Sequence, residues 1–508
     1  MSVPSSPDTD RPDRQDSPAR SDGFIRGLSE AIGGPLGTHA AANDRPSGVR
    51  HRFWTAARIV LALCCLVLVL HYIQKSPCRD GDWGQNIQYT RFCYSDVLAL
   101  YYADGLSEGK VPYQEFPVEY PVLTGIFMGL LGLPIHALGQ RYPEMNQGQA
   151  FYDVNALVLC ALAVATCACL LSLRRRRPWD AAMFAVAPML FITTTINWDF
   201  LAIALATFGM LAWARRRPVL AGVLIGLGAA AKLWPVFLLG PLLLLCLRGG
   251  RMRAGLTTAG SAAAAWIAVN APVYFLYPDN WGRFAELNTT RPIDWGTLWY
   301  IGRWLDGKWN SGQPGDQGPF QWLSDHVEPH LNNVTLGLFV LCCLGVALLI
   351  FLAPRRPRFA QVAFLVVALF LISNKVWSQQ FNLWLLALIV LARPKWGAFL
   401  AWQVAEFAYF TAFYAELLGA GGRQVIPEGT FVLASTLRLV TVAVLVGLVI
   451  REILKPEHDP VRQTYDDDPD GGVLDGAPDV GWLHRGGRHD KLPAQAEPPP
   501  PPVPATAS

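Results

Sequence analysis

Residues 219–247 read VLAGVLIGLGAAAKLWPVFLLGPLLLLCL, two apolar runs interrupted by Lys232-Leu233-Trp234-Pro235. Arg215, Arg216 and Arg217 stand before the first run and Arg248 follows the second. Basic residues near span ends are biased to the cytoplasm, so the arginine ends stay inside and Lys232 marks a turn on the other side. Each run is only about 12 to 15 residues, short of the roughly 20 that cross a bilayer at about 1.5 Å per residue. Short spans imply a cavity entering the membrane, because broken helices are tolerated where protein or water lines them.

The pattern repeats along the chain. Of 508 residues, 52% are hydrophobic and only 16% charged, and the apolar ones fall in about a dozen runs, which excludes a soluble globule. The net charge of +3 carries no nucleic-acid signal, since the basic residues clump between spans, as in Arg50 with Arg52, Arg174 to Arg177, Arg355 to Arg358, and Arg393 with Lys395. With these clumps inside, Trp54 to Ile73 leads out, Asp180 to Ile196 leads out and Phe200 to Trp213 returns, followed by the hairpin around Lys232. Gly255 to Leu276 leads to a long external loop. Val334 to Ala353, Phe359 to Ile372, Phe381 to Ala392, Trp396 to Tyr414 and Thr430 to Ile450 then alternate and bring the chain back inside.

One stretch breaks the parity. Tyr120 to Leu138 and Tyr152 to Leu173 must together end at Arg174, so either the first is a re-entrant pair of short helices bent at Pro134 or another span is misassigned. The reading is an all-α, polytopic integral membrane protein of about 12 to 13 transmembrane helices with a large first external loop. It places the chain in the plasma membrane with both termini cytoplasmic. Residues 1–52 and 453–508, of disorder-prone composition, read as solvated tails around a transmembrane domain, 53–452, whose external loops cover about 74–119 and 277–333. No cleavable leader is apparent, and the proline run Pro498 to Pro502 is either plain extended tail or a partner-docking segment.

Short polar motifs end these spans on the external side: Tyr94-Ser95-Asp96, Glu119-Tyr120-Pro121, Asn197-Trp198-Asp199, Lys232 to Pro235, and Asn374 to Gln380. Ionisable groups are expensive near lipid, so their convergence on one face argues for a site. Each motif also has a bland reading. Asp96 either caps the short helix Asp96 to Ala103 together with Ser95, or acts as a general base on a hydroxyl. Tyr113, Glu119 and Tyr120 either anchor the interface or bind substrate. Asn197 and Asp199 either cap the next span or hydrogen-bond sugar hydroxyls. Lys232 and Lys375 either snorkel or neutralise a lipid-linked phosphate. Trp281, Trp295, Trp299, Trp304, Trp309 and Trp322, in the second long loop, fit an interfacial belt or platforms for sugar rings.

Most of the ten cysteines lie in apolar runs and read as reduced packing residues. Cys78 and Cys93 share the first external loop, where an oxidising environment permits a disulfide. There is no zinc-type spacing, Gly-rich phosphate loop or Asp-x-Asp pair.

In order and spacing, Tyr94-Ser95-Asp96, Gly109-Lys110-Val111-Pro112-Tyr113, Glu119-Tyr120-Pro121, the Lys232 hairpin and the Asn374 to Gln380 block resemble bacterial membrane glycosyltransferases of family 87, over about residues 90 to 400. The resemblance implies the multi-span C-type architecture and a hexosyl transfer, of mannose, from a polyprenyl-phosphate donor to an acceptor hydroxyl of a glycolipid, glycan or protein on the outer face. It implies that Asp96 is the catalytic base and that Lys232 and Lys375 meet the donor phosphate. Tyr113, Glu119, Tyr120, Asn197, Asp199, Gln379 and Gln380 are then left to bind substrate. The chain departs from the pattern where Val122 follows Pro121 and Gln379 follows Ser378. No cofactor is called for, because a lipid phosphate is already a competent leaving group; a divalent metal is compatible but not indicated. A lipid-linked sugar transporter would place its polar groups at mid-bilayer and show internal repeats, and a non-catalytic envelope scaffold would need the motifs only for binding.

Overall fold

The computed structural model describes residues 22–25, 27, 28, 55–309 and 317–479. Among them the chain is helical, with no sheet. In order, the main helices are α1 (Ala56–Lys75), α2 (Asp96–Ala103), α3 (Val122–Arg141), α4 (Gln147–Leu173), α5 (Asp199–Ala214), α6 (Pro218–Ala231), α7 (Leu239–Arg248) and α8 (Met252–Leu276). There follow α9 (Pro278–Thr290), α10 (Leu298–Trp309), α11 (Pro319–Asp325), α12 (Asn332–Leu352), α13 (Phe359–Ser373), α14 (Asn382–Ala392), α15 (Trp396–Ala420) and α16 (Glu428–Leu454).

Six segments among the described residues are long and apolar enough to cross a membrane, while α5, α6, α13, α14 and the stretch Trp234–Arg248 are shorter. Burial explains α13 and α14. Every residue of α14 is buried, as are nearly all of α13, so their ends meet other helices rather than lipid or water. Glycine permits the closest of these contacts. A Cβ on Gly222 or Gly226 of α6 would lie 2.2 Å from the carbonyl oxygens of Thr258 and Ala262 of α8, the small-residue packing of membrane helices.

The chain therefore has a motif end, where Asp96, Asn197, Lys232 and Asn374 gather, and an arginine end, with Arg174, Arg248, Arg358 and Arg393. Two expectations are corrected. The stretch 120–138 is not a pair of re-entrant helices: α3 runs unbroken through Pro134. Its glycines pack along the first loop, Gly125 against Tyr113, Gly129 against Pro112, Gly132 against Leu106, and near its far end His136 Nδ1 lies 2.9 Å from the Ser107 carbonyl. Both ends of α3 thus lie beside one loop, and α4 runs from there to Arg174. Residues 180–196 are not one helix either; they break into Ala182–Ala185 and Pro188–Thr193, because Pro188 has no N–H to continue a helix and fits only at a fresh first turn.

Residues 455–479, expected in a solvated tail, instead form a strap across the arginine end. Asp470 takes two hydrogen bonds from Arg174 (2.6 and 2.7 Å), Asp459 two from Arg358 (2.7 and 3.0 Å), and Asp479 two from Arg248 (2.6 and 2.9 Å). Asp468 accepts the free Phe359 N–H at the start of α13, and Gly472, with φ of 61°, lies against the Trp213 carbonyl so closely that a Cβ would be 2.0 Å from its oxygen. Charge density made the segment look solvated, but its carboxylates are matched by guanidiniums. Asp22, within the expected N-terminal tail, accepts the N–H of Trp396 (2.7 Å). The proline run Pro498–Pro502 lies outside the described residues.

Candidate active site

The short run Thr193–Asp199, between the broken crossing and α5, builds the floor of the motif end. His71 and Tyr152 both reach the Thr195 hydroxyl (2.8 Å each), fixing this run between α1 and α4. Ser95 donates its hydroxyl to the Thr195 carbonyl (2.5 Å) and Asp96 its N–H to that of Ile196 (2.7 Å). Ser95 therefore does not cap α2 with its side chain. It ties α2 to the floor, and the Asp96 carboxylate is left to face inward.

Asn197 is the hub. Its Nδ2 donates to Asp96 Oδ2 (2.9 Å) and to the Tyr120 hydroxyl (2.7 Å), and its Oδ1 accepts from Lys232 Nζ (3.3 Å). Lys232 also pairs with Asp199 (3.1 Å), whose other oxygen accepts the Trp384 indole N–H (2.6 Å). The ammonium sits 5.3 Å from the ring centres of both Tyr120 and Phe381, which favour a cation over their faces. Lys232 reaches this place because α6 ends at Ala231, whose carbonyl is held by Thr124 of α3 (2.7 Å).

Asp96, Glu119, Tyr120, Asn197, Lys232 and Gln380 line a cavity of about 310 Å³. Its lining also includes the apolar side chains Trp234, Phe237, Phe284, Leu287 and Phe370. An adjoining cavity of about 220 Å³ shares Tyr94, Asp96, Arg291, Ser378 and Gln380 and adds Asp294, Trp295 and Gln379. Asp96 thus stands where the two meet. Burial lifts its carboxyl above the ordinary carboxylate range; hydrogen bonds from Asn197 and Tyr94 oppose this, Glu119 adds to it, and Lys232 opposes it.

Two sequence candidates lie elsewhere. Tyr113 is buried behind the cavity, its hydroxyl donating to the Tyr120 carbonyl (2.9 Å), so it braces the wall rather than lining it. Lys375 turns away and donates to the Thr289 carbonyl (3.0 Å) and to Asn332 Oδ1 (2.6 Å). Asp199 holds Lys232 from the side, and Gln379 donates to the Tyr414 hydroxyl (3.2 Å) at the second cavity. Of the loop tryptophans, Trp295 lines that second cavity, while Trp299 is buried with its N–H on the Ser373 carbonyl. Sequence reading passed over Arg291, which lines both cavities. The signal available was a lone cation directly before Pro292, at the end of an amphipathic segment. The Cys78–Cys93 disulfide is formed; it closes the loop that presents α2.

Residues 125–374 match the family model of glycosyltransferase family 87. Asn197, Asp199, Lys232 and Arg291 fall within the matched span, and Asp96 precedes it. No curated protein matches the chain. The match and the apolar helices indicate a membrane-embedded glycosyltransferase, with a sugar donor, an acceptor and the bilayer as partners.

Proposed function

We propose that this chain moves a hexose, mannose in our reading, from a polyprenyl-phosphate carrier to an acceptor hydroxyl at the outer face of the plasma membrane, in the synthesis of envelope glycolipid or glycan. The observation that carries the reading is the main cavity: a carboxylate and an ammonium bridged by one amide, in a lining that also carries Phe237, Phe284, Leu287 and Phe370. A polar head joined to a long hydrocarbon needs both kinds of lining.

Asp96 accepts the proton of the acceptor hydroxyl as that oxygen bonds to the anomeric carbon. The bond from that carbon to the phosphate oxygen breaks on the opposite side, its electron pair leaves with the lipid phosphate, and the configuration inverts. Lys232 supports the developing charge from a fixed position, without reorganising as the reaction proceeds. Asp199 tempers that charge in the resting site. Two features support the orientation: a disulfide in the first loop fits an oxidising compartment, and the arginines collect at the other end.

Transfer from radiolabelled polyprenyl-phosphate mannose is measured in membranes holding wild type or Asp96→Asn at matched expression. Label with wild type and a loss of about 100-fold or more in the variant is the expected result. Equal transfer by both removes Asp96 from the base role, and no transfer by either overturns the mannose donor.

A further inference from the structure

Five cations stand near the motif-end cavities, and four of them are engaged by the protein, Arg438 by the Trp377 and Ser378 carbonyls (3.1 and 3.3 Å) and by Glu406. Lys75 donates to the Phe92 and Tyr94 carbonyls (3.1 and 3.2 Å), Lys232 pairs with Asp199, and Lys375 is bonded to Thr289 and Asn332. Arg291 differs. Its side chain is exposed to both cavities, and among the described residues it makes no ion pair or side-chain hydrogen bond.

Its mounting is specific. Arg291 sits in the stretch 289–294, and both ends of that stretch are tied to one residue: the Lys375 ammonium binds the Thr289 carbonyl, and the Lys375 carbonyl accepts the Asp294 N–H (2.9 Å). Asn332 completes the anchor by donating to the same Thr289 carbonyl (2.9 Å) while accepting from Lys375. On α9, Phe284 and Leu287 lie seven and four residues before Arg291, so they share its helical face, and both line the main cavity. The face therefore presents hydrocarbon contacts that end in a guanidinium.

We propose that Arg291 holds the phosphate of a prenyl-phosphate ligand and that Lys375 is a positioning residue that sets the Arg291 loop. This rests on the lipid-phosphate donor reading above and reassigns the part given to Lys375 by sequence. A guanidinium offers a planar fork matched to two phosphate oxygens, which an ammonium cannot. Lys232, already neutralised in part by Asp199, then meets the bridging oxygen as charge develops on it, while Arg291 grips the non-bridging ones.

The test is binding of farnesyl phosphate and of farnesol to the purified full chain in detergent, without any turnover. Wild type prefers the phosphate. Arg291→Ala loses that preference, binding farnesyl phosphate about tenfold or more weakly, with farnesol affinity unchanged as the control for folding. Arg291→Lys recovers part of it, and Lys375→Met weakens the phosphate but not the alcohol. A preference that survives Arg291→Ala overturns the assignment of Arg291, and an unaltered Lys375→Met overturns the positioning role. Wild type with no preference overturns the lipid-phosphate reading itself. Displacement of farnesyl phosphate by an equal concentration of inorganic phosphate would make the site one for free phosphate and overturn the prenyl assignment.

Discussion

Replacing Asp470 by Asn tests whether the strap closes the arginine end. Arg174 and Asp470 are both fully buried, and the guanidinium gives two of its hydrogen bonds to this one carboxylate. A third goes to the Leu391 carbonyl (2.6 Å), at the end of α14. Asparagine keeps one acceptor but leaves the buried guanidinium without a counter-charge, and breaking a buried pair in this way costs about 3 to 5 kcal/mol. That corresponds to roughly a hundredfold to several thousandfold shift toward the open strap. Cys169, buried four residues before Leu173 and bonded to the Thr207 carbonyl, is a built-in reporter. Thermal unfolding followed with a thiol-reactive dye should shift down by at least about 5 °C, allowing for the smaller shift per kcal/mol in a longer chain. Asp466→Asn is the control, because that side chain is exposed. Replacing Arg174 by Met and Asp470 by Leu together should restore much of the loss, since an apolar pair needs no counter-charge. A variant Asp470→Asn that melts with wild type would refute the reasoning.

Other outcomes follow from the site and the packing. In the proposed base role Asp96 must be ionised to accept a proton, and burial raises its pKa, so the acid limb of the kcat/KM profile should lie above the ordinary aspartate value of about 3.9. Asn197→Ala removes a donor to the ionised form, so the limb should move to still higher pH. Gly226→Ala forces a Cβ onto the Ala262 carbonyl, and the same dye assay should register a loss of about 1 to 3 kcal/mol. Opening the Cys78–Cys93 link with Ser at both positions frees a loop spanning 15 residues, worth about 3 kcal/mol on the chain-entropy estimate; limited proteolysis should then cut first between residues 79 and 92.

Much of the candidate site was legible as a cluster because its residues sit where apolar runs end. Asp96 opens a helix, Lys232 follows the end of one and Asn197 lies two residues before one, and alternation of spans was enough to bring them to one end. Lys375 could not be placed from sequence for a simple reason: an ammonium beside a polar motif reads the same whether it faces a ligand or a carbonyl. Arg291 was hidden among tryptophans, with no run boundary to mark it. Pro134 suggested a bend, yet a proline removes only one hydrogen bond, the one to Leu130, and the glycines of α3 secure that helix against the loop. The strap was least legible of all. Asp470 and Arg174 are 296 positions apart, and nothing local to an aspartate-rich stretch distinguishes a carboxylate in water from one that will meet a buried guanidinium.

The strap also sets an order of events during synthesis. Residues 455–479 emerge from the ribosome after every helix they clamp, so Arg174, Arg248 and Arg358 wait for their partners while the rest of the bundle is being inserted. In the orientation proposed above, their charges are free during that interval to act as orientation signals, holding their ends of the helices on the side of synthesis. Arrival of the aspartates ends that service. The same guanidiniums then stop being signals and become fasteners, so an affinity tag placed at residue 455 would yield a correctly oriented but unfastened protein, whereas one placed after 479 would leave it closed.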